Sequence, residues 1–418
     1  MSNVPGYRAK NFEFVGYHDL DDNPGFKMAI HEVGGKWYLY IADFWRPYIT
    51  VMDVTDPANP KKVNEFMGCD PKSKKSILWN LLLGNGLLII SNEPMPDGWC
   101  KPEDIDAPFD EGFTIYDIKE DPVHPKKLSM WHTGFRGTHR NFFTGDNYVH
   151  CTAKMKGYSG FIYVIVDISD VYAPKEVGRW FVPQQFASGG GVMEHEGDNC
   201  LHGPAYIQGD RAFLSYGQCG AIILDVSDYT DPKIISRIHL GNAIGNILGV
   251  HTYQPIKTRG LAIVSGEAFT ENSSEPMTFA ALADITNEKQ PRMLSFFPTP
   301  EPEPDAPYKN FHTRGGRFGP HNWNMYQEHN PNVAYNDTIL LNAWFNAGLR
   351  AFDTTDPYLP KEVGFFLPDD PKKRNGCMPV TLTTSSEDLL IDVRGNCYLT
   401  DKNHGLFIVK YTGPGKLF

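Results

Sequence analysis

Short apolar runs alternate with polar turns along the whole chain, and no long stretch repeats at the helical period. The segment LHGPAYIQGDRAFLSYG, residues 201–217, shows the unit: a turn, a strand, a tight turn and a second strand. Such alternation at a period of two marks half-buried strands. Six runs share one ending, as in VMDVTDPANPKKV from Val51, IVDISDVYAPKEV from Ile165 and AFDTTDPYLPKEV from Ala351. Each places an aspartate at the strand end and a proline beyond it. The proline follows seven residues after Asp53, Asp167, Asp225, Asp284 and Asp353, and eight after Asp117. An aspartate carboxylate accepts hydrogen bonds from turn N–H groups, and proline fixes φ where no donor is needed. A fresh apolar strand then begins, as in KEVGRWFV and KEVGFFL.

Successive aspartates of this set stand 50 to 69 residues apart, enough for a four-stranded antiparallel meander. A seventh copy, GLFIVKYTG, carries Lys410 in place of the aspartate and lacks its following strand. The N-terminal NFEFVGYHDL, residues 11–20, supplies that strand. Pairing the two ends closes a ring and removes its open edges. The expectation is an all-β fold: a seven-bladed β-propeller in one domain, 1–418. Its blades fall near 26–70, 77–133, 138–184, 201–242, 250–299, 320–369 and 377–413, with 11–20 closing the seventh. The Asp-Pro signature resembles the LVIVD-repeat family of β-propellers, through YVIVDISD and NAGLRAFDTTDPYLPKEVGFF. That resemblance implies a fold and leaves activity open.

Composition narrows the partners. The net charge of −11 argues against nucleic acid, whose binders need a basic face, and against anionic membranes. MSNVPGYRAK has no apolar leader region, and the longest apolar run, 77–90, is split by Gly-Asn-Gly. The seven cysteines are scattered and form no CxxC, so neither a disulfide framework nor a thiolate zinc site is expected. A cytoplasmic protein follows, with a small-molecule partner and room for a homo-oligomer.

In a propeller the first strand of each blade lines the channel. Four consecutive blades begin that strand with histidine: His139 in GTHRNFF, His202 in LHGPAYI, His251 in GVHTYQP and His321 in GPHNWNM. The other three blades offer Lys27 or Met28, Trp79 and Met378 there. Converging imidazoles suit a borderline divalent metal, and four neutral ligands leave the ion its full charge as a Lewis acid. This arrangement is similar in geometry to the carotenoid cleavage oxygenases, seven-bladed propellers whose axial iron is held by four histidines, although their sequence motifs are not shared. The selenium-binding protein/methanethiol oxidase family offers a second likeness, without its cysteine motifs. Metal-bound imidazoles donate their other N–H to a carboxylate or carbonyl. Glu194, Glu196 and Glu267 are the candidates for that role, and His195 for a fifth ligand or proton shuttle.

Loops between second and third strands share the histidines' face. They bring Phe44, Trp45 and Arg46, then Lys154, Lys156 and Tyr158, then Tyr216 and Gln218, Trp344 to Asn346, and Arg394 with Asn396. Tyr158, Arg46, Lys154 and Trp344 are the candidate catalytic residues. The long insertions 92–112 and 267–279, and the Pro/Glu-rich stretch before His321, exceed ordinary loop lengths and suit a rim or lid. Aromatics with a few cations suit a substrate having an apolar body and an acidic or carbonyl group. No phosphate loop, nucleophile elbow or HExxH motif is present. The expectation is a mononuclear metalloenzyme, with Fe(II) favoured over Mn, Zn or Cu. Its chemistry is oxidation with C–C cleavage or, alternatively, that of a Lewis-acid lyase, hydratase or isomerase. A non-catalytic protein-binding propeller is the rival.

Overall fold

The computed structural model describes residues 4–193, 201–240, 247–272, 274–276, 278–325, 327, 329–415 and 417. Among these, seven four-stranded antiparallel sheets stand as the blades of a propeller. Blade one holds β3 to β6 (Gly25–Val33, Lys36–Asp43, Tyr48–Asp53, Lys61–Met67), and blade two runs from β7 (Ser76–Gly84) to β10 (Lys126–His132). Blades three, four and five span β11 (Phe142–Phe143) to β14 (Lys175–Trp180), β15 (Ala205–Gln208) to β18 (Lys233–Ile238), and β19 (Thr252–Ile256) to β22 (Arg292–Phe296). Blade seven comprises β26 (Ser386–Ile391), β27 (Cys397–Asp401) and β28 (Gly405–Tyr411). Its outer strand is β2 (Phe12–His18), paired along β28, so the N-terminus closes the last blade. The preceding strand, β1 (Tyr7–Lys10), adds to blade six beside β25 (Lys361–Pro368). The first five residues from His321 complete blade six on the channel side through a bridge from Trp323 to Asn342.

The aspartate signature is a local turn device. Asp53, Asp117, Asp167, Asp225, Asp284 and Asp353 each accept, through Oδ1, the N–H two residues on, at 2.7–2.9 Å. Where the fourth strand returns, each of these six blades carries a register shift against its third strand or within it. Bulges of this kind sharpen the right-handed twist.

Among the described residues, buried apolar side chains fall into seven clusters, each between two adjacent blades. One unites Phe26, Tyr40 and Val51 with Leu78, Leu88 and Tyr116. The ring closes where Met28, Ile41 and Met52 meet Leu390, Tyr398 and Ile408. Outer strands also latch to the turn of the next blade. Asn64 Nδ2 donates to Val123 O at 2.6 Å, Ser129 Oγ to Val171 O, and Ser295 Oγ to Pro357 O at 2.6 Å. Blades three and seven place glycine at the same point, so that Gly178 and Gly16 lie directly against the carbonyls of Tyr229 and Pro57.

Candidate metal centre

The four histidines occupy one register. The backbone N–H of His139, His202, His251 and His321 donates to Thr152, Ser215, Ser265 and Ala343 respectively, at 2.8–3.2 Å. In each case the acceptor lies at the end of the second strand of the same blade. That shared bond sets every imidazole at the same height around the axis. Neighbouring ring centroids are 4.5 Å apart for His139–His202, 5.5 Å for His202–His251 and 5.3 Å for His251–His321.

Glu267, at the start of the blade-five insertion, lies among them. Its Oε2 is 3.5 Å from His202 Nε2 and 3.6 Å from His251 Nε2, and its Oε1 is 3.6 Å from His321 Nε2. His202, His251 and Glu267 form a buried group whose donor atoms all lie within 4.8 Å of one another. Sequence reading places Glu267 behind the imidazoles, whereas the structure sets its carboxylate between them. His251 Nδ1 faces Thr252 Oγ1 at 3.0 Å, which leaves Nε2 turned to Glu267. His321 is held differently: Arg140 reaches its Nε2 at 3.1 Å, and Glu387 Oε2 stands 3.3 Å from its Nδ1. His139 directs Nδ1 at Glu93 Oε2, 3.4 Å away, and its ring meets Trp79 at 4.3 Å.

A cavity of about 60 Å³ opens over this cluster. It is lined by His139, His202, His321, Glu267, Glu387, Arg140 and Arg317, with an aromatic collar including Phe26, Phe44, Trp79 and Trp99. Trp99 comes from the blade-two insertion, Phe269 from the blade-five insertion and Arg317 from the stretch before His321. All three long connections therefore reach the rim. Phe345 stacks on His321 at 4.6 Å from a left-handed backbone, φ 40°. That conformation is costly for a bulky residue, and Arg317 packs over the same ring, 4.1 Å from its centroid.

Burial holds the imidazoles of His139, His251 and His321 below the usual histidine range. Burial opposes ionisation of Glu267, but the surrounding histidines and Arg317 outweigh it and keep the carboxyl well below the carboxylate range. Arg317 supplies the permanent charge, 3.0 Å from Glu267 Oε1. Burial, first, and then Arg317 bring Lys402 down to about 8 while it pairs with Glu387 at 2.7 Å. Glu93, by contrast, is raised by burial.

Other candidates stand elsewhere. Lys154 adjoins the cluster, half-buried over Phe161 at 4.3 Å, with that ring 5.3 Å from His139. Tyr158 packs between Phe181 and Phe186 with its hydroxyl at Arg179, towards the outer strand of blade three. Arg46 is held by Asn23 and Glu65 and lines a separate cavity of about 210 Å³. Trp344 fills the core between blades five and six, beside Phe318 and Phe352. Arg394 and Asn396 sit in the turn between the first and second strands of blade seven, on the opposite face. Strand one of that blade begins at Ser386, beyond Met378, so its channel residues are Glu387 and Asp388. Glu194, His195 and Glu196 lie outside the described residues. Arg140, Glu93, Arg317, Glu387 and Lys402 are the cluster's unforeseen members. The signal for two of them is legible in hindsight: Arg140 follows His139 directly, and SSEDLLID sets paired acids at the head of an apolar strand.

Residues 33–67, spanning β4 to β6 of blade one, match the LVIVD repeat family. No curated protein matches the chain. Among solved structures it is similar to Saccharomyces cerevisiae Sqt1, with a TM-score of 0.51 and 11% identity over 97% of this chain and 100% of that one. It is also similar to the computationally designed Ika8 protein, with a TM-score of 0.49 and 7% identity over 95% and 99%. At 11% identity the likeness to Sqt1 is one of fold.

Proposed function

We propose that the chain is a mononuclear metal-dependent enzyme, with a divalent ion held by His202, His251 and Glu267 on the propeller axis, acting on a small organic substrate. The observation that carries this reading is Glu267 Oε2, 3.5 Å and 3.6 Å from the Nε2 atoms of two buried histidines. Ligand bonds of about 2.1 Å in tetrahedral geometry separate donor atoms by about 3.4 Å, close to the spacing present. His251 Nε2 has no hydrogen-bond partner among the described residues, and a buried nitrogen without one costs about 1–3 kcal/mol. A metal would satisfy it.

Two histidines and one carboxylate with open positions suit Fe(II) first, and the same donor types serve zinc. Bound there, iron would supply oxygen activation and zinc the polarisation of a carbonyl. The chain's own residues would do the rest. Thr252 fixes the His251 tautomer, Arg317 orients Glu267, and the Phe26, Phe44, Trp79 and Trp99 collar keeps water from the reacting groups. The finer alternative is four-histidine coordination of the carotenoid-oxygenase type. It requires His321 Nε2 to exchange Arg140 for the ion, while Glu93 at His139 Nδ1 would leave that ring's Nε2 for it.

Elemental analysis of protein as isolated, followed by reloading with Fe(II) or Zn(II) under anaerobic conditions, tests the reading. About one equivalent of metal is expected. Oxygen uptake with substrate would mark the oxidative branch, and sustained turnover with zinc the Lewis-acid branch. Protein that holds clearly less than one equivalent and cannot be reloaded is a binding scaffold.

A further inference from the structure

Around the imidazoles, one buried cation has no direct ion pair among the described residues. Four buried carboxylates stand at the cluster; three have their own cation, and the fourth, Glu93, faces His139 at 3.4 Å. Glu267 meets Arg317 at 3.0 Å, Glu387 meets Lys402 at 2.7 Å, and Asp388 meets Lys27 at 2.6 Å. Arg140 is the fourth cation. It is 2% exposed and lines the cavity. Its two hydrogen-bond partners are uncharged acceptors, Asn322 Oδ1 at 3.3 Å and His321 Nε2 at 3.1 Å, and its Nε has none among the described residues. The guanidinium packs over Phe26 at 5.3 Å. Glu267, Asp388 and Glu387 act on Arg140 only through space, with no direct ion pair among the described residues, and guanidinium does not shed its proton. Its planar fork matches a carboxylate, which it can bind through two parallel hydrogen bonds.

We propose that Arg140 is the anchor for a carboxylate on the molecule that enters the axial cavity, so that the site takes small organic acids with a flat apolar body. The acid's charge completes the pairing that Arg317, Lys402 and Lys27 leave open, and its body meets the collar of Phe44, Trp79 and Trp99. The inference deepens the enzymatic reading of this cavity, but the anchor itself does not depend on the metal.

Acetate and benzoate, each against its neutral amide, are the probes, titrated calorimetrically into metal-loaded protein and into protein stripped with EDTA. Each acid is expected to bind at least tenfold more tightly than its amide in both forms. Arg140→Gln is expected to abolish that preference while its metal content stays at the wild-type level. Acid binding to stripped protein that cannot be reloaded would uphold the anchor and remove the metal reading. Equal affinity for acid and amide, or an unaltered preference in the variant, would overturn the anchor and leave the metal reading standing. Wild-type crystals soaked in 4-bromobenzoate serve if the variant fails to fold. A bromine peak in the axial cavity with the carboxylate on Arg140 supports the proposal, and its absence there refutes it.

Discussion

The Nε2 of His202 and the Oε2 of Glu267 stand 3.5 Å apart across the boundary between blades four and five. Neither residue is near the other in sequence. Their meeting follows from two repeated features: a first strand that begins with histidine, and a second strand whose end carries the acceptor for that histidine's N–H. Ser265 accepts from His251, and Glu267 follows two positions later, where the chain turns over the axis. A local register thus delivers a donor from one blade to a nitrogen of its neighbour.

Glu267→Gln keeps the shape of the side chain and removes its charge. Loss of a hydrogen-bonded partner behind a ligand already costs 10- to 100-fold in metal affinity, so removal of the anionic ligand is expected to cost at least about 100-fold. His251→Ala should do the same without unfolding the chain, because the ring belongs to the polar axial cluster and not to an inter-blade apolar core. Metal content by elemental analysis and melting by circular dichroism together check this. Full metal occupancy in Glu267→Gln would return the four-histidine set to first place.

Closure of the ring rests on β2. Deleting residues 1–18 removes both β1 and β2, and so exposes the edges of β25 and β28. Unpaired edges invite association between chains. The truncated protein should lose its cooperative melting transition and elute as aggregates in size exclusion. Deleting residues 1–10 removes β1 alone and should give a folded ring, eluting like the full chain, with a lower midpoint. A truncation to residue 18 that melts within a few degrees of the full chain would show that β2 does not close the propeller.

The blades and their turns were legible because their causes are local. An aspartate that accepts the N–H two residues on leaves the same mark in every repeat, and alternation along a strand needs no partner to be seen. The histidines were legible as a set because they share that register. Arg140, Glu93, Glu387 and Lys402 were not, since a buried charge is explained by what faces it from other blades. Blade seven misled for a related reason. GCMPVTLTT has strand-like composition, yet regular pairing begins at Ser386, after a segment spent on contacts such as Thr384 Oγ1 to Asp401. Tyr158 and Trp344 read equally well as rim or core, and packing alone decided between them.

Acid should weaken the fold through Glu387. Burial disfavours its ionised form, but Lys402, His321 and Arg317 prevail and bring its pKa from 4.5 to about 2. Between these values the unfolded chain binds more protons than the folded one, so stability is full above 4.5 and falls as pH drops through 2. The shift corresponds to about 3 kcal/mol at 1.36 kcal/mol per unit. Glu387→Gln should lower stability at neutral pH and flatten this part of the acid limb. Urea unfolding at steps from pH 5 to pH 2.5 measures it. Parallel curves for variant and wild type would rule Glu387 out as the source.

The inter-blade latch can be tested where glycine replaces a side chain. A methyl group added at Gly178 would stand 1.9 Å from the carbonyl oxygen of Tyr229 in the next blade. Backbone on both sides of the contact cannot yield as a flexible side chain would. Gly178→Ala must therefore part blades three and four locally, at a cost of about 1–3 kcal/mol typical of overpacking. Gly16→Ala should act alike, because its added carbon would lie 2.1 Å from Pro57 O at the seam between blades seven and one. Gly98→Ala is the control, an exposed position with nothing within 4 Å of the added carbon, expected to change stability by less than about 0.5 kcal/mol. Denaturant unfolding of the three variants provides the comparison. If Gly178→Ala and Gly98→Ala unfold at the same midpoint, the close approach of the Tyr229 carbonyl is not what seats these blades.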